Sequence, residues 1–227
     1  MVPHQWRVCL LTLGMLACAV GPRAAGEQVP GVLSSADTAL LDRLSLLVKN
    51  TTTIAGHFTQ RTRNAGDSQA EVREGRFTIQ VPDCYNLIET RPDDANWKKR
   101  LCSDGTTQWE IEQVFPDVKA DVMTHAAGAA DNDLRRILSC VRGDTTDLQR
   151  DFVIIPKEVP GGYHLSLSPR SSEVGRDVSK VSIELDSLGH VQSLALEQPS
   201  GTRISLTVGN ATYNQPVKPE DFHDQDP

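Results

Sequence analysis

The sequence predicts a mainly β chain with a few α-helices, arranged as one long antiparallel sheet. Three observations lead there. Period-two alternation of apolar residues is plain in Tyr163/Leu165/Leu167, Val181/Ile183/Leu185 and Ile204/Leu206/Val208. Turn signals such as Asp104-Gly105, the stretch RPDDAN and Gly161-Gly162 separate the alternating runs. Helical spacing occurs in only two stretches, around Leu40 and around Leu134. About ten or eleven strands result, and a sheet of that size is expected to curl. Alternation leaves one face dry and the other wet. The two helices either fill the concave apolar face, making a core, or only lid it, leaving a cavity.

Each element has a local reason. Ser34 to Asn50 reads as a helix with Leu40, Leu41, Leu44, Leu47 and Val48 on one face and Ser34 or Ser35 as its cap. The run GHFTQRT from Gly56 reads as a strand. So does REGRFTIQVP, with Phe77, Ile79 and Val81 on one face and Pro82 at its end. A hairpin follows from Cys84 to Cys102. Ser103-Asp104-Gly105 is the turn into the next strand, TTQWEIEQV, because Asp-Gly tolerates positive φ. Leu134, Ile137, Leu138 and Val141 define a second helix, capped by Asp131 or Asn132 and stopped by Gly143. Five strands then return, DFVIIP, GYHLSLSP, VSKVSIELD, HVQSLALEQ and TRISLTVGN. No repeat of 20 to 50 residues is present.

The N-terminus reads as an export signal. Arg7 precedes the apolar run Val8 to Val20, and the small residues Ala24 and Gly26 follow, which places cleavage near Gly26. The run is too short to span a membrane. Residues 1–26 are thus expected to be a signal peptide and residues 27–227 a single domain. Leu16-Ala17-Cys18 loosely resembles a lipoprotein processing box, but Met15 stands where leucine is preferred, so lipid anchoring at Cys18 is the lesser expectation. Loss of Arg7 and Arg23, with no acidic residue, takes the formal charge from -7 to -9. That acidity, without a basic cluster, argues against nucleic acid and anionic lipid surfaces as partners.

Three cysteines remain after the signal, Cys84, Cys102 and Cys140. In an exported chain an odd number implies one bridge and one free thiol, or no bridge. A hairpin centred on Asp93 sets Cys84 and Cys102 face to face, so a disulfide between them is the expectation. Cys140 is then a buried small hydrophobe.

Recognisable chemistry is absent. His57, His125, His164, His190 and His223 show no metal-ligand spacing, and no HExxH or CxxC occurs. Ser103 lacks a G-x-S-x-G elbow and a nearby histidine. No metal, cofactor or catalytic residue is predicted.

The order of motifs resembles the LolA family of periplasmic lipoprotein carriers through most of the chain after the signal. The phrase Ile54-Ala55-Gly56-His57-Phe58-Thr59-Gln60 stands where the family has F-x-A-x-F-T-Q. Gly75 to Val81-Pro82 resembles its glycine-bearing strand ending in R-P. Cys102-Ser103-Asp104-Gly105 through Trp109 resembles V-S-D-G-x-x-x-W. Leu188-Gly189-His190-Val191 and Phe222 match two later features. The resemblance implies an incomplete, strongly curved antiparallel β-barrel lidded by helices, LolA/LolB-like, whose apolar interior shields acyl chains. Each buried CH₂ is worth about 0.8 kcal/mol, so a carrier crossing water must hide them.

It also implies a monomer in the periplasm that takes lipoproteins from an inner-membrane exporter to an outer-membrane receptor, without catalysis. Residues expected to line or border the cavity are Phe58, Phe77, Ile79, Val81, Tyr85, Leu87, Trp109, Leu134 and Leu138. Departures from the pattern matter. Val81 replaces the arginine that ties the family's lid to its barrel, and aromatics make up only 5% of the chain. These departures leave two alternatives: a carrier of another lipid or of an aryl-polyene or fatty-acyl pigment precursor, and a non-hydrolytic enzyme of a lipid or pigment pathway.

Overall fold

A computed structural model describes residues 34–115, 120–126 and 145–223. The signal region, Cys18, the helix expected around Leu134 and Leu138, and Cys140 lie outside the described residues. The first helix, α1 (Ser35–Val48), begins as its sequence requires. Ser34 Oγ accepts from the Asp37 N–H at 3.1 Å, and Asp37 Oδ2 accepts from the Ser34 N–H at 3.2 Å, which closes a capping box. Leu41 and Leu44 are buried, whereas Leu47, expected on the same face, is 41% exposed. Arg43, on the polar side of α1, donates to Glu158 and to the Tyr163 hydroxyl, tying the helix across the sheet edge.

The strands run β1 (Thr53–Arg63), β2 (Glu71–Gln80), β3 (Cys84–Arg91), β4 (Asp94–Asp104), β5 (Thr107–Gln113) and β6 (Asp121–Ala126). After α2 (Thr145–Asp151) come β7 (Phe152–Val159) and β8 (Gly162–Pro169). A single turn, α3 (Val174–Asp177), precedes β9 (Lys180–Asp186), β10 (Val191–Glu197) and β11 (Arg203–Tyr213). A 3₁₀ turn at Pro219–Phe222 ends the described chain. All eleven strands form one sheet in the order β6-β5-β4-β3-β2-β1-β11-β10-β9-β8-β7. Two antiparallel meanders are therefore joined edge to edge by β1 and β11.

The strand count and the antiparallel pairing agree with the sequence reading; the barrel does not. The sheet is open: β6 and β7 are its two edges and do not pair with one another. It is neither closed nor strongly curled. The physical reason lies in how the apolar face is covered. Curling was expected because a long sheet must hide that face somehow. Here the face divides into two separate clusters instead of closing on itself. On β7–β11, Leu41 and Leu44 of α1 and Leu148 of α2 pack against Ile154, Leu167, Ile183 and Leu194, so helices cover that half.

The opposite face is covered locally. The 3₁₀ turn packs on β3 and β4 and buries Phe222. Arg100 donates from Nη2 to the Asp221 carbonyl at 3.1 Å and from Nε to Asn86 Oδ1 at 2.9 Å. Cys102 Sγ contacts the His223 carbonyl at 3.5 Å. Consequently Lys99 to Ser103 is buried without a break, and period-two exposure is lost in the middle of β4.

The Asp104-Gly105 turn forms as expected. Gly105 has φ 87°, and Asp104 Oδ1 accepts from the Thr106 and Thr107 N–H groups at 2.8 and 2.7 Å. Those bonds hold the Asp104 carboxyl below the usual range. Ser103 Oγ accepts from the Gly105 N–H at 3.1 Å and is buried. It is a turn residue.

The disulfide expectation is corrected by the register. Cys84 stands opposite Asp104, and Cys102 opposite Asn86, so the two cysteines are offset along the ladder. The cause is an irregularity next to the turn. Between the pairs Arg91–Asp94 and Thr90–Lys98, β3 moves one residue while β4 moves four. The extra residues shift the pairing away from symmetry about Asp93. Both thiols are free, Cys102 fully buried and Cys84 partly exposed. Burial first, and then Asp104 and Asp83, push the Cys84 thiol pKa up. Maleimide is therefore expected to label Cys84 slowly in the folded protein, with the rate rising with pH, and Cys102 only after unfolding. Mass mapping of a mixed disulfide joining these two residues would contradict this register.

Gly75 is the one position where β2 has no room for a side chain. A Cβ there would meet the Ile88 carbonyl oxygen at 2.1 Å and the Phe58 ring at 2.7 Å. Phe58 thus lies across the bare backbone of its neighbour strand, opposite Gly75 in register. Gly75→Ala is expected to cost about 3 kcal/mol, as overpacking of a tight core does. Urea unfolding of the variant measures it, and a change below about 1 kcal/mol would contradict the packing described.

Candidate functional site

The dry face of β1–β5 carries two kinds of side chain in the same alternating phase. At one end of the strands lies an apolar band: Ile54, Phe58, Phe77, Ile79, Tyr85, Leu87 and Leu101, with Leu206, Val208 and Tyr213 against it. Register places them side by side, Ile54 opposite Ile79, Ile79 opposite Tyr85, Phe77 opposite Leu87, and Leu87 opposite Leu101. The Phe58 and Phe77 rings meet at 6.5 Å between centroids, tilted by 45°. Tyr213 closes the band, stacked on the His190 ring at 3.7 Å. Its phenol is pushed up to about 12 by burial and by Asp186.

Two residues further along each strand, the same face turns polar. Gln60, Arg73, Glu89, Lys99 and Glu110 form a row across β1 to β5, every one of them buried. Arg73 Nη1 donates to Glu89 Oε2 at 3.2 Å, and its Nη2 to Glu71 Oε1 at 3.0 Å. Lys99 Nζ sits 2.7 Å from Glu110 Oε1. Trp97 is buried among them. Its indole N–H donates to Glu112 Oε1 at 2.8 Å, and the Arg73 and Arg91 guanidinium groups lie 4.9 and 4.2 Å from the ring centroid.

Burying charges is costly unless they are paired, and here almost every one is. Among the described residues two buried side-chain atoms make no hydrogen bond, Glu89 Oε1 and Arg91 Nε, and Arg91 Nε still has Glu71 Oε1 at 3.8 Å as its ion partner. Such an orphan costs about 1–3 kcal/mol. Burial pushes the Glu89 carboxyl up, against the opposing pull of Arg73 and Lys99.

Of the residues expected at the cavity, Phe58, Phe77, Ile79, Tyr85 and Leu87 come together in the band. Trp109 does not. It pairs with Cys102 on the opposite face and meets the His223 ring at 5.8 Å. Val81 lies just past β2, 40% exposed, with its N–H on the Thr52 carbonyl. Leu134 and Leu138 lie outside the described residues. The charged row was missed by the sequence reading. Its signal is period two carried on into charges: Phe58-x-Gln60, Arg73-x-Gly75-x-Phe77, Leu87-x-Glu89 and Lys99-x-Leu101. Among the described residues no group of three or more His, Cys, Asp or Glu could hold a metal ion.

The family described as outer membrane lipoprotein carrier protein LolA matches residues 49–224. The chain belongs to this family, and its general function is that of a carrier for hydrophobic cargo. An outer-membrane lipoprotein carrier protein of Pseudomonas putida (strain W619) is 24% identical over 218 residues, covering 95% of this chain and 90% of that one. The carrier of Hahella chejuensis is 24% identical, with 83% and 85% covered. Among solved structures, the chain is similar to the Mycobacterium tuberculosis lipoprotein LppX, at a TM-score of 0.45 and 18% identity, over 80% of this chain and 98% of that one. A LolA superfamily protein from Nitrosomonas europaea gives a TM-score of 0.41 at 9% identity, with 83% and 97% covered.

The raised Glu89 pKa has a sign for stability. A carboxyl that is harder to ionise in the folded protein destabilises the fold as pH rises above its unfolded pKa, and this loss is absent below it. Glu89→Gln removes the ionisation. Comparing urea midpoints at pH 5 and pH 8, the variant is expected to lose less stability across that interval than the parent. An equal or steeper loss would contradict the assignment.

Proposed function

We propose that the protein is a periplasmic carrier that shields the acyl chains of lipoproteins on its apolar band and moves them towards the outer membrane. The observation that carries this reading is the band itself. Phe58, Phe77, Ile79, Tyr85, Leu87 and Leu101 are contiguous across four strands of one sheet. These residues are buried in the structure, and where the band opens to cargo its rings and branched aliphatics hold methylenes by area, at about 25 cal/mol per Å² buried. It discriminates poorly between chains, which suits a cargo recognised by being acylated. The proposed partners are an inner-membrane exporter that loads the protein and an outer-membrane receptor that unloads it, with the carrier acting as a monomer. No step of this reading requires catalysis.

A second reading is carriage of another acylated lipid. The charged row beside the band favours it, because buried polar groups next to an acyl site provide a place for a lipid's polar end. Membership of the family supports both readings.

The test is mass spectrometry of whatever co-purifies with the protein from its native cell envelope. A lipidated polypeptide is the expected result. A free lipid carried unchanged would move the answer to the second reading, and a converted product would replace both with an enzyme. Phe58→Asp, at the centre of the band, is expected to lower recovered cargo at least tenfold, the fold being checked by circular dichroism.

A further inference from the structure

We propose that one rim of the sheet, formed by the end of α1 and the tips of the β7–β8 and β9–β10 hairpins, docks on a phospholipid bilayer, with Leu46, Leu47, Val159 and Leu188 entering the headgroup region. This goes beyond the carrier reading and does not rest on which cargo is carried.

Contacts within the fold assemble the rim. Arg43 of α1 donates to Glu158 and to the Tyr163 hydroxyl, which face each other across the β7–β8 hairpin. Leu46 and Leu47 follow Arg43 on the same side of the helix, one turn nearer its end. They therefore stand by that hairpin's tip, where Val159 is exposed as well. The next tip is its neighbour, because Gly162 of β8 pairs with Asp186 of β9. Strands lie about 4.8 Å apart, so Leu188 is only a few strand spacings from Val159. Leu46 is 65% exposed and Leu188 59%.

Leu188 is held outward by its turn. Asp186 Oδ1 accepts from the Leu188 and His190 N–H groups, each at 2.9 Å, and Gly189 turns the chain at φ 82°. An apolar side chain braced in water at a hairpin tip gains by leaving water.

Shape and charge name the occupant. Two hairpin tips and a helix end present points, not the flat patch of about 800 Å² that a specific protein partner covers. Points suit a soft surface, where each side chain sinks between headgroups. Lys49 and Lys157 are exposed beside these tips and make no ion pair among the described residues. Glu158 is engaged by Arg43, and Asp186 by its own turn. A chain that is acidic as a whole thus leads with cations where it would meet lipid phosphates. Position gives the contact a use. β1 and β3 begin, and β2 ends, at this same end of the sheet. Ile54, Ile79 and Tyr85 of the apolar band therefore lie toward the docked bilayer, and the charged row lies away from it.

The test is co-sedimentation of the purified protein with vesicles of phosphatidylethanolamine and phosphatidylglycerol, mixed at about three to one. The parent is expected to bind, and the Leu46→Ser/Leu188→Ser double variant to bind about tenfold more weakly. Both positions are exposed, so the fold is expected to hold, which circular dichroism checks. Phe115→Ser is the control, because Phe115 is 61% exposed but follows β5 at the opposite end of the sheet. It is expected to bind like the parent. Leu188→Trp is expected to bind more tightly, with its added fluorescence quenched by brominated acyl chains, since tryptophan favours the membrane interface. Failure of the parent to bind, equal binding by the folded double variant, an equal loss in Phe115→Ser, or unquenched fluorescence in Leu188→Trp would each overturn the proposal. Binding confined to native membrane vesicles, and lost once their proteins are digested, would overturn it in favour of a protein receptor.

Discussion

The pairing of β1 with β11 is the interaction on which the rest depends. Each meander is built from neighbours in sequence, with short turns between strands. Among the described strand pairs, only β1 with β11 joins residues far apart in the chain, from Ile54 opposite Tyr213 to Arg63 opposite Arg203. Without that ladder there are two separate sheets, each with an exposed apolar edge. With it, Leu206 and Val208 reach the band built on β1–β4, and Val208 also packs against the helix-covered core. The ladder is interrupted once, between Ala55 and His57, where Asn210 takes a positive φ of 51°. The extra residue lies on β11, so that Val208 and Tyr213, at odd spacing, both reach the apolar band.

How much of this was legible follows from what periodicity encodes. Alternation names the strands and their dry residues, as it does for Phe77 and Ile79 on β2. Curvature is not encoded in that way. A sheet that covers half of its face with α1 and α2 has the same alternating pattern as one that curls, so the barrel expectation had nothing in the residues to correct it. The register of the β3–β4 hairpin was hidden for a different reason. Extra residues around Trp97 slip one strand against the other, and a count centred on Asp93 cannot see a slip.

The charged row was hidden by habit of interpretation. Glu89, Lys99 and Glu110 stand at positions in phase with Leu87 and Leu101, yet charges in a strand are ordinarily read as the wet face. Their burial is tolerated because they neutralise one another across adjacent strands, as cross-strand pairs do. Arg73 and Trp97 extend the arrangement into a stacked cluster. Family membership had pointed to a wall of uniform hydrocarbon, and the structure instead sets a hydrocarbon wall beside an ionic one.

The 3₁₀ turn at Pro219–Phe222 has a consequence for biosynthesis. It covers β3 and β4, strands made more than a hundred residues earlier. A chain that emerges N-terminus first can pair β1 through β5 early, but the contacts of Arg100 with the Asp221 carbonyl and of Cys102 with the His223 carbonyl wait for the final residues. The first meander stays unfinished throughout elongation, and β1 lacks its second neighbour for nearly as long. Completion of both depends on the last fifth of the polypeptide. Such a chain resists settling into its native form before synthesis ends, a property compatible with threading through a narrow channel while still extended.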